Sequence, residues 1–367
     1  MKKKIFFIIQ NLNVGGAQRI FIDIINYLSL KNIYQIKLII ISNEDNFLIH
    51  DLNENIDISF LNKKRVSFSF FKILKEINKH KPDVVFTTIT NVNLLLCFLK
   101  AIFLFNFKLI IREANILSLN SKDDYYLLKL FLVKFLYRFS NKIICISRAV
   151  QKDLLEKYKV KIDKTKVIYN PINTKQILLK IKDQNKINEV TNFLNNKSLN
   201  LSKIIISIGK FSHQKGFDIL IESMKYVRLK NVFLIIMGIG NKQKYQNLIK
   251  LNKLQNKILL FDFDTNPYVL LNKSSIYVCS SRYEGFGNTI LEALFLGLPV
   301  LSTPCHNGTN EIIHNLEYCK ILENFEPKKM GEAITQMLCN INTNSKYKFE
   351  KKDYNLSSIV QAYESLI

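Results

Sequence analysis

Glycine and proline are scarce in this chain, 11 and 6 of 367 residues. That excludes collagen-like and linker-dominated chains. Cysteine is equally sparse: Cys97, Cys145, Cys279, Cys305, Cys319 and Cys339, none in CxxC spacing. They read as buried thiols, not as a disulfide or zinc framework. The five histidines are scattered and suggest no metal cluster. Arginine occurs seven times against 46 lysines, so the net charge of +23 is almost all lysine. Dedicated nucleic-acid readers favour Arg for base and phosphate forks, and this chain has few. No long apolar run exists either. The longest stretch, 94–109, is broken by Lys100, Asn106 and Lys108 and is too interrupted to span a bilayer. Near the start the apolar run is only 5–9 before Gln10 and Asn11, with no small-residue cleavage site. It reads as a first buried strand, not as a signal peptide.

What is present is an ordinary globular composition, 48% hydrophobic and 23% charged, which excludes extended disorder. Short apolar runs at 4–9, 36–41, 84–87, 109–111 and 143–146 read as buried strands. Between them, 17–28, 70–78, 94–103, 125–139 and 149–158 have helical periodicity. A second series opens near Lys203, with strands at 204–208, 232–237, 258–261, 276–279, 300–303 and near 321. Its helices fall at 217–227, 242–251, 289–296 and 330–338. Strands alternating with helices imply parallel βαβ sheets. The expected fold is α/β, two doubly wound Rossmann-like domains facing across a cleft. The expected boundaries are 1–171, 172–345 and a helical C-terminal segment 346–367 that returns to the first domain.

Ligands of such sheets bind outside the carboxyl ends of the strands, so those ends carry the candidate chemistry. Gly15-Gly16 follows the first strand and opens a helix. It is not GxGxxG, and no P-loop occurs, so nicotinamide and P-loop readings have no support. Gly209-Lys210 and Gln214-Lys215-Gly216 place two ammonium groups near a helix start, where they can neutralise a diphosphate. Met237-Gly238-Ile239-Gly240 permits close backbone approach. Asp262-Phe263-Asp264 has the spelling of a metal-binding pair, but a solvated turn is the simpler account. The richest segment is Ser281-Arg282-Tyr283-Glu284-Gly285-Phe286-Gly287-Asn288-Thr289, leading into a helix that carries Glu292. Asn288 is the expected N-cap. Glu292 lies among Ile290, Leu291, Ala293 and Leu294 and should have a partner, because an unpaired buried charge is costly. Diol hydroxyls of a sugar would serve, since a carboxylate accepts from two adjacent hydroxyls.

Glu284 and Glu292, with seven residues between them, within Glu-Gly-Phe-Gly-Asn and Leu-Glu-Ala, resemble the E-x7-E motif of retaining GT-B glycosyltransferases. The resemblance is closest to the group that extends bacterial surface polysaccharides and lipid-linked oligosaccharides, and it covers nearly the whole chain. Gly15-Gly16-Ala17-Gln18-Arg19, Pro82-Asp83-Val84-Val85 and Ile168-Tyr169-Asn170-Pro171-Ile172 look like its landmarks, as do Gly297-Leu298-Pro299-Val300 and Gly308-Thr309-Asn310-Glu311. It implies that Lys210 and Lys215 bind the donor diphosphate and that Glu292 holds the ribose. Glu284 would hold the donor sugar, with backbone help from Gly285, Phe286, Gly287, Asn288 and Thr289. Gly16, Gly209 and Gly238 would approach the donor. Lys210 stands where the family usually has Arg, and Ala114 stands where many members have His. Arg112 and Asn115 become the acceptor-side or donor-side candidates there.

The implied activity is metal-independent, retaining transfer of a hexose or N-acetylhexosamine from a nucleotide sugar, UDP-linked, with no cofactor. The implied acceptor is a glycan, lipid-linked, in surface polysaccharide or lipo-oligosaccharide synthesis. Two alternatives are a GT-B sugar-nucleotide epimerase or hydrolase, and a basic nucleic-acid-binding protein. The segment 125–139 is apolar, aromatic and basic, with Lys129, Lys134 and Arg138. It suits an anionic membrane surface, or else a core helix packed on the first sheet. The expected location is cytoplasmic, peripheral on the inner face of the cytoplasmic membrane, with no nucleic-acid partner.

Overall fold

A computed structural model describes residues 2–13, 15–44, 46–119, 126–197, 199, 203–341, 347–350 and 352–367. Tyr125, at the start of the basic aromatic segment, and the expected boundary at 345/346 lie outside these residues. The chain divides into two compact units, residues 1–171 with 352–367, and residues 172–351.

The first unit runs β1 (Lys3–Ile9), α1 (Gly16–Leu30), β2 (Tyr34–Ile40), β3 (Asp57–Phe60), α2 (Phe70–His80), β4 (Val84–Thr88) and α3 (Thr90–Phe103). It continues with β5 (Lys108–Glu113), α4 (Tyr126–Leu136), β6 (Lys142–Cys145), α5 (Arg148–Glu156) and β7 (Thr165–Val167). The seven strands are parallel in the order β3-β2-β1-β4-β5-β6-β7. Chain direction on the sheet reverses between β1 and β4, the position at which doubly wound sheets take ligands. Central strands are continuous hydrophobic runs because helices cover both faces: all five residues of β4 are buried. In α1 the buried positions Ile20, Phe21, Ile24, Ile25 and Leu28 recur at helical spacing, which turns one face to the sheet. Phe7 of β1 stacks on Phe86 of β4 at 5.1 Å and meets Phe21 edge-on at 5.2 Å.

The second unit contains α6 (Thr174–Lys180), α7 (Gln184–Asn196), β8 (Lys203–Lys210), α8 (Phe217–Ser223), β9 (Val232–Ile239), α9 (Gln243–Leu251) and β10 (Ile258–Asp262). After these come α10 (Tyr268–Lys273), β11 (Ile276–Cys279), β12 (Tyr283–Glu284), α11 (Asn288–Phe295), β13 (Val300–Ser302), β14 (His306–Asn307), α12 (Gly308–Ile313), β15 (Lys320–Ile321) and α13 (Pro327–Asn340). Six parallel strands lie in the order β10-β9-β8-β11-β13-β15, with a switch point between β8 and β11, and β12 pairs β14 separately. Both sheets are Rossmann-like.

The chain then returns to the first unit as α14 (Leu356–Glu364), capped by the Asn355 side chain on the Ser357 amide at 3.0 Å. Ile359, Val360, Tyr363 and Leu366 enter the core of the first unit, where Tyr363 lies 6.1 Å from Phe86. Glu364 is bound by the Lys31 ammonium at 2.5 Å and the Tyr34 hydroxyl at 3.2 Å.

Candidate donor site at the β8–β11 switch point

Two connections leave the switch point of the second unit. After β8 come Phe211 to Gly216 and the start of α8. After β11 come Ser280 to Gly287 and the start of α11. The two are laced together: the Arg282 amide donates to the Gln214 carbonyl at 2.7 Å, and Gln214 Nε2 donates to the Tyr283 carbonyl at 3.1 Å. Ser280 Oγ donates to the Lys215 carbonyl at 2.8 Å. The Arg282 guanidinium forks onto the Asp218 carboxylate at 2.9 and 2.6 Å. Burial would raise the Asp218 carboxyl, and Arg282 overrides that and holds it below its ordinary value.

That lacing brings Lys215 and Glu284 into contact, residues 69 apart in sequence. The Lys215 ammonium pairs with Glu284 Oε1, and the Ser281 hydroxyl donates to the same oxygen at 2.7 Å. Glu284 is buried on β12. Burial pushes the Lys215 ammonium down, but the adjacent carboxylate outweighs it, so the net shift is upward and the lysine stays charged. The stem of Lys215 lies across Gly209: a Cβ there would come within 2.8 Å of Lys215 Cε. Gly209 is therefore needed for close approach of a side chain. Gly238 sits opposite Gly209 in the β8–β9 register.

Glu292 is half-buried and accepts from the Tyr268 hydroxyl of α10 at 3.1 Å. The partner expected for Glu292 thus comes in part from the protein. Tyr277 and Thr289 share a hydrogen bond of 2.7 Å beside it, and burial drives the Tyr277 phenol well up. Phe286 is 2% exposed, so its ring is packed inside the unit. Lys210 is exposed at the end of β8, with no partner for its ammonium among the described residues. Asn288 is not the N-cap. Gly287 caps α11 at φ +101°, and Asn288 is the first helical residue, with no side chain capping the helix. The preference of Asn for that position yields here to a backbone conformation that glycine adopts without strain.

Asp262 and Asp264 are not a bare carboxylate pair. Lys242 binds Asp262 at 2.7 and 2.8 Å, and Lys186 of α7 binds Asp264. A solvated turn was the simpler expectation, and Asp262, its side chain 83% exposed, agrees with it, while each acid also has its own lysine.

In the first unit Gly16 is the exposed first residue of α1, next to the carboxyl end of β1. Arg112 differs from its expectation. It is 1% exposed, with its guanidinium on Thr88 Oγ1 at 3.1 Å and Asn170 Oδ1 at 2.6 Å. It ties β4, β5 and the segment after β7 from within, and does not reach a surface of that unit. Asn115 is exposed. Sequence reasoning passed over Glu113, which is fully buried and accepts from Tyr137 at 2.6 Å and Thr90 at 3.1 and 3.3 Å. It also passed over Ser281, Tyr268 and the Arg282–Asp218 fork. The partners of Tyr268 and Arg282 are remote in sequence, whereas Ser281 lies three residues from Glu284, and both Ser281 and Arg282 stood inside the segment already singled out.

Residues 191–353 match the family described as Glycosyl transferases group 1, and residues 14–176 match Glycosyltransferase Family 4. Each of the two units thus resembles a glycosyltransferase family model. Among curated relatives, this chain is 34% identical over 256 residues to an uncharacterized glycosyltransferase of Methanocaldococcus jannaschii. That match spans 66% of this chain and 61% of the archaeal protein. It is 25% identical, over 95% of this chain and 94% of the relative, to a Campylobacter jejuni enzyme. The latter is named N-acetylgalactosamine-N,N'-diacetylbacillosaminyl-diphospho-undecaprenol 4-alpha-N-acetylgalactosaminyltransferase. Among solved structures, Anabaena HepE in complex with UDP and glucose shares the fold with a TM-score of 0.81 at 18% identity. The alignment covers 99% of this chain and 98% of HepE.

Proposed function

We propose that this protein is a glycosyltransferase that moves a hexose or N-acetylhexosamine from a UDP-linked donor to a lipid-linked glycan, retaining the anomeric configuration, in surface polysaccharide or lipo-oligosaccharide synthesis. The observation that carries the reading is the contact of Lys215 with Glu284 at the switch point, with Glu292 eight positions further on. UDP and glucose in HepE and the polyprenol-linked substrate in the name of the Campylobacter enzyme support the donor and acceptor classes.

In this reading Lys215 and Lys210 stabilise the negative charge that develops on the departing diphosphate. The Lys215 ammonium has three protons, so it can keep Glu284 while meeting a phosphate oxygen. Glu284, buried and bound by Lys215 and Ser281, presents its other oxygen to donor-sugar hydroxyls. Glu292 accepts from the ribose diol while Tyr268 holds its orientation. Gly209, Gly238 and the backbone of Gly285 to Thr289 complete the donor contacts of the second unit, and Gly16 is the donor-binding candidate of the first. Asn115, exposed on the first unit, is the acceptor-side candidate, and Arg112 supports it from inside. Protons of the acceptor pass to a leaving phosphate oxygen, so no separate base is required. The reaction is proposed to proceed without a metal, because two lysines serve the diphosphate and Asp262 and Asp264 are each neutralised by a lysine. The protein is placed in the cytoplasm, at the inner membrane face, in contact with anionic lipid and not with nucleic acid.

The test is a panel of UDP-sugars incubated with a polyprenol-diphosphate-linked glycan, with and without EDTA, followed by NMR of the new anomeric centre. A product with the donor's configuration, formed in EDTA, is expected. An inverted product, or activity restored only by Mg²⁺, overturns the reading. Donor consumption that ignores the acceptor would favour a hydrolase or epimerase.

A further inference from the structure

We infer that the lipid-facing surface of the first unit is composite: the aromatic edge formed by α2 and α3 docks on an anionic bilayer together with α4. This rests on the membrane contact proposed above and extends it to elements outside the 125–139 segment.

Phe68 in the 3-10 turn Val66–Ser69 and Phe71 in α2 are 63% and 79% exposed. Toward the C-terminal end of α3, Phe98, Ile102, Phe103 and the adjoining Leu104 are exposed. Phe70 connects the two groups, with ring centroids 5.1 Å from Phe71 and 6.2 Å from both Phe98 and Phe103. α3 also packs against α4, whose outer side shows Leu127, Phe131 and Phe135, the last two stacked at 6.2 Å. A run of large exposed apolar side chains across adjacent elements marks an interaction site, since isolated ones are the norm on protein surfaces.

The sign of the charge selects the occupant. Residues 84–112 and 126–152 contain no Asp or Glu. In 61–82 the sole acid is Glu76, which faces Lys37 at 3.7 Å and His80 at 3.6 Å. Exposed Arg65, Lys75, Lys134 and Arg138 are interspersed with the rings, and the Arg138 guanidinium lies 3.8 Å from the Phe135 ring centroid. Cations around exposed rings and aliphatic tips suit a headgroup layer, with rings at the acyl boundary and cations on anionic lipid. A second copy would set like charges against each other. No helix among the described residues is long and apolar enough to cross a membrane, so contact on this face is interfacial.

The experiment is co-sedimentation of the full chain with vesicles of phosphatidylcholine containing phosphatidylglycerol, and with phosphatidylcholine alone. Two variants are compared, Phe71→Ser with Leu104→Ser on the edge, and Leu127→Ser with Phe131→Ser on α4. All four side chains are exposed, so both variants keep their cores, and circular dichroism checks this. Wild type should pellet with the anionic vesicles, and each variant should lose roughly tenfold in bound fraction. Edge-variant binding equal to wild type, with the α4 variant released, leaves α4 as the sole anchor and overturns the composite face. Wild type remaining in the supernatant with both vesicles refutes the membrane reading itself. A wild-type dimer seen by light scattering and lost in the edge variant assigns the face to a second copy and also overturns the proposal.

Discussion

Glu284 gathers an ammonium and a hydroxyl around one carboxylate oxygen, and each can be removed separately. Lys215→Ala should lower turnover at least about 100-fold at saturating donor, the scale of losing one group that stabilises transition-state charge. UDP release measured continuously reads this. Activity within a few-fold of wild type would remove Lys215 from the site. The raised Lys215 ammonium also has a stability signature. Its folded value lies above the unfolded one, so its contribution is complete below the ordinary lysine range and disappears as pH rises through the folded value. Glu113 has the same sign with an opposite everyday consequence. Burial raises its carboxyl from 4.5, against hydrogen bonds from Tyr137 and Thr90. Its contribution is complete below 4.5 and declines as pH climbs. Glu113→Gln should therefore match wild type in thermal stability near pH 4 and exceed it near neutrality. A gap of constant size across that range would show that the carboxyl does not titrate between folded and unfolded states.

Within the elements, α11 depends on the backbone of one residue. Gly287 holds φ +101° and ψ 60°, and a Cβ there would come within 3.0 Å of Ile290 Cδ1. Gly287→Ala should cost about 1–2 kcal/mol, read as a lower urea midpoint for the second unit. An unchanged midpoint would mean that the loop relaxes freely. The sequence showed central strands clearly because β1, β4, β5, β8, β9 and β11 are apolar runs buried on both faces. It did not show β3 and β7, edge strands in which no residue is buried. Nor did it show β12 and β14, two residues each, which have no period to detect. The short α6, α10 and α12 were missed for a similar reason, since six or seven residues scarcely complete a second turn. At the site, residue types and strand-end positions were legible. Which atoms meet was not, because Lys215–Glu284 and Tyr268–Glu292 are closed by tertiary packing.

Over the whole molecule, 53 basic residues face 30 acidic ones, so many lysines have no acid to pair with. Several donate to main-chain carbonyls instead: Lys72 to Leu61, Lys100 to Phe107, Lys164 to Arg138 and Ser140, and Lys203 to Leu338, all at 2.5–2.7 Å. The charge surplus is thus partly used to satisfy polar groups at element ends. α14 makes the first unit discontinuous. Deleting residues 353–367 uncovers the sheet face around Phe7 and Phe86 and removes four core side chains, each contributing about 1.5–3 kcal/mol of burial. The shortened chain should lose the cooperative melting of the first unit in calorimetry while the second still melts. Two intact transitions would show that α14 is dispensable. Its return also fixes an order of events on the ribosome. The second unit, 172–351, is synthesised between the two parts of the first. At roughly 5–20 residues per second, a delay of about 10 to 35 s separates Pro171 from residue 352. Throughout that delay the earlier core lacks the α14 side chains that pack beside Phe86, so the unit that starts first is finished last, and nascent-chain chaperones have their longest access there.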